Sequence, residues 1–357
     1  MSIQWFPGHM NSTKKAIVER LPDIDVVIEL LDARLPGSSA NPLLAELTTG
    51  KPALKVLNKQ DLAEPALTAA WLAHYLAQPG TRAIGLDASE AAPARRLIAE
   101  CRALAPLRGG MVKPLRVLIC GVPNVGKSTL INTLVGQRSA KTGDEPGITK
   151  VEQRITLASD FYLYDTPGML WPRIAVEHSG WHLAAAGSIG RNAYDEVDVA
   201  LALLASVRPL HEARLLARYK LDAAQLAKAP PPLAGAWAEH HAQQQAGHIV
   251  GAQDAGQRHA SEAELALLAH IGRKRGALIA GSQVLLHKAA EVVINDFRAG
   301  AWGRLTLESP EQFVQWTEQA RLRDAERAAR RAARGRRNKS DSAVGEDAEP
   351  AVDDAAD

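Results

Sequence analysis

Cysteine is nearly absent from this chain: 357 residues hold only Cys101 and Cys120, the second inside an apolar run that enters a glycine-rich loop. Two thiols make no disulfide framework, and they fit a reducing cytosol. No apolar run approaches the roughly 20 residues that a membrane-spanning helix needs. The opening Met1-Ser2-Ile3-Gln4-Trp5-Phe6-Pro7 lacks the basic and apolar regions of a signal peptide, so a soluble cytoplasmic protein is expected. Net charge is scarce too, at +2, but that total conceals an asymmetry. Arg321 to Lys339 is a basic run, and from Asp341 to Asp357 the only charges are acidic.

A hydrophobic content of 46% is ample for real cores, and the length suits about two domains. Short apolar runs at Asp25–Leu31, Ala53–Leu57, Arg82–Leu86 and Leu115–Cys120 are bounded by turn or charged residues, as buried parallel strands are. Ile155–Leu157 and Phe161–Tyr164 predict a hairpin that ends at Asp165. Strands alternating with helical patterns predict an α/β, doubly wound sheet over residues 1–176. One helix and a linker are expected over 87–113, with Arg108-Gly109-Gly110 as the joint. From about residue 177 to 318 the texture becomes Ala- and Leu-rich, which predicts a smaller all-helical domain. Within it, residues 228–260 carry Pro230-Pro231-Pro232 and a Gln-, Ala-, Gly- and His-rich stretch that reads as an exposed insertion. Residues 319–357 read as a disordered tail, first basic and then acidic, which can form a basic helix on contact with a polyanion while its last part is disordered in isolation. His240, His241 and His248 lack partners at ligand spacing, so no metal site is expected there.

The chemistry lies in three motifs. Gly121-Val122-Pro123-Asn124-Val125-Gly126-Lys127-Ser128 satisfies G-x-x-x-x-G-K-S between a predicted strand and the helical pattern from Thr129, which is the context of a phosphate loop. Its amides close on phosphate oxygens, Lys127 neutralises them, and the Ser128 hydroxyl ligates Mg²⁺. Asp165-Thr166-Pro167-Gly168 follows. There Asp165 can hold Mg²⁺ through water, and the Gly168 N–H can sense a γ-phosphate. Between them, Thr149 is the best candidate for a second Mg²⁺ hydroxyl.

The third motif, Asn58-Lys59-Gln60-Asp61, reads guanine: Asp61 accepts from N1–H and N2–H, Asn58 reads the opposite edge, and the Lys59 stem covers the ring. Asp87-Ala88-Ser89 can add a backbone N–H to the base oxygen. Such a site rejects adenine by factors of about 10⁴, because adenine leaves a buried carboxylate unpaired. This base-reading motif precedes the phosphate loop, the reverse of the conventional order. The chain therefore reads as a circularly permuted P-loop GTPase with its phosphate-sensing segment joined directly to the helical half. Met169 stands where Ras-like enzymes carry a water-orienting glutamine, so catalytic help must come from elsewhere. Asn124 serves either as a monovalent-cation ligand beside the phosphates or as a stabiliser of the loop turn. Trp171 reads as a packing residue.

Ile3-Gln4-Trp5-Phe6-Pro7-Gly8-His9-Met10, Asp32-Ala33-Arg34-Leu35-Pro36, the permuted order, Arg273-Lys274-Arg275-Gly276 and Gly303-Arg304-Leu305 together resemble the ribosome biogenesis GTPase A family, also called YlqF. The resemblance spans roughly residues 1–227 and 261–310. It implies a cytoplasmic GTPase that binds a large ribosomal subunit precursor (rRNA and proteins) in its GTP state and leaves after hydrolysis to GDP and phosphate. It further implies a hydrophobic residue at the glutamine position, a role for His9 in hydrolysis as general base or positioning group, and K⁺ at Asn124. A monomer is expected. Two other readings stay open: a GTP-dependent RNA-binding module with negligible turnover, and a potassium-activated GTPase of RNA modification. The resemblance reaches neither the insertion nor the tail. Clustered arginines in the tail favour RNA contact over a merely solvated segment.

Overall fold

The computed structural model describes residues 3, 5–110, 112–136, 153–234 and 262–345, with the side chains of His9 and of residues 332–345 outside the description. Six strands form one sheet: β1 (Val26–Asp32), β2 (Ala53–Asn58), β3 (Thr81–Gly85), β4 (Leu115–Cys120), β5 (Gln153–Ala158) and β6 (Phe161–Asp165). Their spatial order is β3-β2-β1-β4-β6-β5, parallel except for the β5–β6 hairpin. The apolar runs sit where the sequence predicts strands, since a parallel sheet covered on both faces demands near-continuous burial. β1 is buried at every position. Its one charged residue before the end, Glu29, is paired in register with Lys55 of β2, bonds that ammonium, and accepts the Asn41 N–H at 2.8 Å.

The helices in chain order are α1 (His9–Arg20), α2 (Pro36–Ser39), α3 (Pro42–Leu47), α4 (Pro65–Leu76), α5 (Ala91–Leu104), α6 (Lys127–Val135), α7 (Glu177–Ala185), α8 (Glu196–Tyr219), α9 (Ala223–Leu226), α10 (Glu262–Lys274), α11 (Leu286–Arg298) and α12 (Pro310–Gly345). α5 covers part of 87–113 as predicted. Asp195 caps α8 by accepting the Val197 and Asp198 N–H groups. Pro209 inside α8 lacks the N–H that the helix needs, and the backbone departs from helical geometry at His211. One apolar core runs from the sheet into α7, α8, α10 and α11 without a break. Burial pushes both Cys101 and Cys120 thiols well above the ordinary range, and neither forms a disulfide. No helix among the described residues is long and apolar enough to cross a membrane.

Three expectations change. The C-terminal half is not purely helical, because Leu233–Ala234 (β7) pairs in parallel with Val284–Leu285 (β8). The proline run explains this: it holds the backbone extended, and the Pro232 carbonyl accepts the Val284 N–H at 2.8 Å. For the same reason the start of the supposed insertion is anchored, with Ala234 buried; residues 235–261, including His240, His241 and His248, lie outside the described part. Finally, residues 319–345 continue directly from the packed first turns of α12, where a helix is expected only on contact with a polyanion and disorder otherwise. Their Ala-, Arg- and Glu-rich composition has high helix propensity, and packing of the first turns supplies the nucleus that an isolated segment lacks.

Candidate active site

The carboxyl ends of parallel strands are where α/β sheets bind ligands, and every predicted motif falls there. Asn58 ends β2, the 121–128 loop follows β4, and Asp165 ends β6. β4 lies between β1 and β6, with β2 beyond β1, so the permuted chain brings loops distant in sequence to one edge.

Asn58 is the central brace. Its Nδ2 donates to Val125 O at 2.6 Å and its Oδ1 accepts the Ala88 N–H at 2.8 Å, joining the base-reading loop, the phosphate loop and the 87–89 loop. Gly126 makes this possible: with φ at 101° it tolerates the left-handed turn, and a Cβ there would come 2.3 Å from Asn58 Nδ2. Of the 87–89 loop, expected to offer a backbone N–H to the base oxygen, the Ala88 amide is engaged by Asn58, and Asp87 Oδ1 accepts the Ser89 N–H at 2.8 Å. Asp61 is exposed at the mouth of the site, and its carbonyl accepts from Arg304 Nε at 3.1 Å.

Lys127 is buried inside its own loop and donates to Gly121 O at 3.1 Å and Val122 O at 3.2 Å. Burial lowers its pKa, and the nearby Asp165 charge opposes that shift. Burial raises the Asp165 carboxyl to about 6 against the pull of Lys127, and Asp165 Oδ1 has no hydrogen-bond partner. A buried carboxylate oxygen left unbonded beside a phosphate loop fits a divalent cation, with Ser128 at the start of α6 as the companion ligand. Thr129 is exposed on that helix. Gly168 lies against the loop, where a Cβ would meet the Pro123 Cα at 2.8 Å, and the Met169 N–H donates to Gly121 O at 3.2 Å. Met169 is itself buried and points no polar group at the site.

Asn124 adopts φ 60° and donates through Nδ2 to Gly187 O at 2.7 Å, in the turn after α7. Thr149 and the His9 side chain lie outside the described part. The backbone of His9 opens α1, and its neighbour Met10 is buried with Sδ accepting the Leu170 N–H at 3.4 Å. This anchors the start of α1 beside the Asp165–Gly168 segment. Trp171 is buried, as a packing residue should be.

The motifs alone did not reveal the role of Asp32 and Arg34. Lys59, also left-handed at φ 61°, donates to Asn124 O and to Asp32 Oδ2, both at 2.9 Å. Arg34 chelates Asp32 through Nε at 3.0 Å and Nη2 at 2.8 Å, and its Nη1 donates to Phe297 O at 3.1 Å on α11. Burial would raise Asp32, but the Arg34 and Lys59 charges and their hydrogen bonds outweigh it and hold the carboxyl well below the usual range. Burial likewise lowers Lys59, with Asp32 opposing. A detectable signal was present: a charged pair, Asp32 and Arg34, at the end of a mainly apolar strand, at the ligand-binding edge. Leu305 and Leu307 complete the junction by donating N–H groups to Leu62 O at 3.0 Å and Arg34 O at 2.7 Å. Elsewhere Glu196, His287 and Glu291 cluster, but the Arg191 guanidinium lies 3.4 Å and 3.7 Å from the two carboxylates and supplies their positive charge.

The 50S ribosome-binding GTPase family model matches residues 116–229, starting one residue into β4 and leaving Asn58–Asp61 outside. Ribosome biogenesis GTPase A of Bacillus cereus is 37% identical over 325 residues, covering 89% of this chain and 97% of that protein. The Bacillus licheniformis protein of the same name is 36% identical, covering 88% and 100%. Mitochondrial ribosome-associated GTPase 1 of Mus musculus is 37% identical over a shorter stretch, 52% of this chain and 61% of its own. The GDP-bound structure of TM YlqF superposes with a TM-score of 0.51 at 23% identity, covering 83% of this chain and 99% of its own, which is a likeness of fold. With a family relative aligned over nearly its whole length and the Asn58–Asp61, Gly121–Ser128 and Asp165–Gly168 segments on one sheet edge, this chain belongs to the ribosome biogenesis GTPase A family and is a GTPase.

Proposed function

We propose that this GTPase of ribosome biogenesis acts on the large-subunit precursor, binding it with GTP and leaving after hydrolysis. The observation that carries the reading is the Asn58 brace, which ties the guanine loop to the phosphate loop, together with kinship to proteins named for ribosome assembly. Guanine falls to Asn58, Lys59 and Asp61, with Asp87, Ala88 and Ser89 beside it; the phosphates fall to Gly121–Thr129 and Gly168. Ser128, Thr149 and Asp165 would hold Mg²⁺, which when bound stabilises negative charge on the phosphate oxygens. Lys127 neutralises the same charge from the loop side. Asn124 is assigned to K⁺, a task for its Oδ1, since an amide N–H₂ donates and does not ligate.

Hydrolysis needs a water aimed at the γ-phosphate, and Met169 cannot aim it. His9 is assigned that task, as general base or as positioning group, because α1 starts beside the Asp165–Gly168 segment. Functionally, residues 1–176 bind nucleotide, 177–318 face the ribosome, and 319–357 form a charged extension of a cytoplasmic monomer.

The test is GTP turnover in K⁺ and in Na⁺, with and without large-subunit precursor particles, for the wild type and His9→Ala. The reading expects strong particle stimulation in K⁺, lost in His9→Ala while GTP affinity persists. Turnover indifferent to particles, with equal particle affinity in the GTP and GDP states, would overturn it.

A further inference from the structure

Helix α7 is held at both ends by the nucleotide loops. Residues 169–176 connect it directly to Asp165–Gly168, and the turn after it accepts the Asn124 side chain at Gly187 O. Its middle carries the seat of α12. Trp316 stacks on His178 with ring centroids 4.2 Å apart and 4° between planes, and it meets His182 edge-on at 5.8 Å. His182 is fixed in turn by Glu308 Oε2 at 3.0 Å, which also accepts the Ser38 hydroxyl at 2.5 Å. Phe313 packs on Trp71 at 5.9 Å, and Ala320 is buried. Two ion pairs then link α12 to α7 and its approach: Asp324 with Arg173 in the segment leading into α7, and Arg323 with Glu177 at the start of α7 at 3.9 Å. Exposed pairs of this kind contribute little energy, so they serve register while the aromatic seat supplies attachment.

Beyond Asp324 the character changes. Ala325 to Arg331 are all exposed, and the helix continues to Gly345, a reach of about 30 Å at 1.5 Å per residue. Arg327, Arg330, Arg331, Arg334, Arg336, Arg337 and Lys339 fall in this stretch, and Arg327–Lys339 contains no acid. The other residues of that stretch are Ala, Gly and Asn, so it has no bulky apolar face to bury in a bilayer. Cations without an apolar face suit a phosphate backbone.

We propose that α12 is an RNA-binding arm whose aim is set by nucleotide state through α7. The proposal rests on the ribosomal reading above for its choice of RNA. A change at Asp165–Gly168 or Asn124 shifts α7, α7 shifts the Trp316 seat, and a small rotation at the seat becomes a large displacement at the arginine-rich end.

The experiment measures binding of the full chain to a labelled 24-base-pair duplex RNA, with GDP and with a non-hydrolysable GTP analogue, across a salt series. For the wild type, affinities should differ at least threefold between the two nucleotides. Replacing Arg330, Arg331, Arg336 and Arg337 with Gln should weaken binding and reduce the log–log salt slope by about 3–4, at roughly 0.9 per lost phosphate contact, with basal GTP turnover unchanged. Trp316→Ala should keep the salt slope but bring the nucleotide ratio to one. His178→Ala removes the same stack from a half-exposed position and should act alike if Trp316→Ala fails to fold. An unchanged slope in the glutamine variant overturns the arm, and a preserved ratio in both stack variants overturns the coupling. Sedimentation with precursor particles separates the two levels: particle binding retained without duplex binding sinks the arm alone, and loss of both sinks the ribosomal reading with it.

Discussion

The side chain of Asn124 donates to the carbonyl of Gly187, 63 residues away, at 2.7 Å. A phosphate-loop residue thereby holds the end of a helix in the C-terminal half. The same carbonyl region is gripped from α11 by Arg298, whose Nη2 donates to Ala184 O at 2.9 Å and Nε to Ala185 O at 2.8 Å. Arg34 bonds the last carbonyls of the same α11, at Phe297 O and Arg298 O, so the loops at this sheet edge and the helical half share one bonded junction.

Asn124→Ala should remove both this tie and the assigned K⁺ ligand. Turnover in K⁺ is expected to fall to the level in Na⁺. Stability should drop by about 1–2 kcal/mol, because alanine tolerates φ 60° less well than asparagine does. Steady-state rates in the two salts and a denaturant titration check this; retention of the K⁺ effect would refute the assignment.

Asp165→Asn should separate stability from chemistry. The folded-state value of about 6 lies above the ordinary 3.8, so proton uptake favours the fold. That contribution is present at low pH and disappears as pH rises through about 6. With Mg²⁺ chelated, the variant should gain roughly 1–3 kcal/mol over wild type at pH 7.5 and nearly nothing at pH 3. Its Mg²⁺-dependent turnover should fall by roughly 100-fold or more, because a cation ligand is gone. Urea unfolding at both pH values is the measurement.

Asp61→Asn exchanges an acceptor for a donor where guanine presents N1–H and N2–H. GTP affinity should fall by roughly 100-fold or more, and xanthosine triphosphate, with an oxygen at C2, should bind better than GTP. Competition titrations with both nucleotides decide it. Unaltered base preference would place the guanine site elsewhere.

Gly168→Ala places a methyl group 2.8 Å from the Pro123 Cα, a backbone atom that cannot turn aside. Overpacking of this kind costs about 1–3 kcal/mol. GDP binding should persist, while turnover and the preference for a GTP analogue should diminish. Equal GTP-analogue affinity in variant and wild type would separate Gly168 from phosphate sensing.

Arg34→Ala leaves Asp32 buried with Lys59 alone, and breaking a buried pair in this way costs roughly 3–5 kcal/mol. Urea unfolding should show this loss, along with weakened GTP binding as Lys59 loses its fixed partner. Arg34→Lys should restore little, because a single ammonium cannot chelate both Asp32 oxygens while reaching Phe297 O.

The sheet was legible from sequence because buried parallel strands write themselves as apolar runs, and β1, β2, β4 and β6 do so plainly. The nucleotide loops were legible because their chemistry demands fixed residue types at fixed spacing. Asp32 and Arg34 stand out in sequence as charges at the end of a mainly apolar strand, but their partners do not. Their partners Lys59 and Phe297 are 27 and 263 residues from Asp32 and Arg34 respectively, and no local period encodes such pairings. The continuation of α12 past residue 318 is not legible in composition, because charge says nothing of the nucleus that Phe313 and Trp316 supply by packing on α4 and α7.

By itself the sequence determined the permuted order of motifs and the strands that carry them, and it proposed the base and phosphates they address, since these depend on short-range pattern and covalent order. Only the tertiary structure decided that Asn124 grips Gly187, that Asp165 keeps an unbonded buried oxygen, and that Trp316 seats α12 on α7. Those facts depend on which surfaces exclude water together, and that is settled by the packing of distant segments.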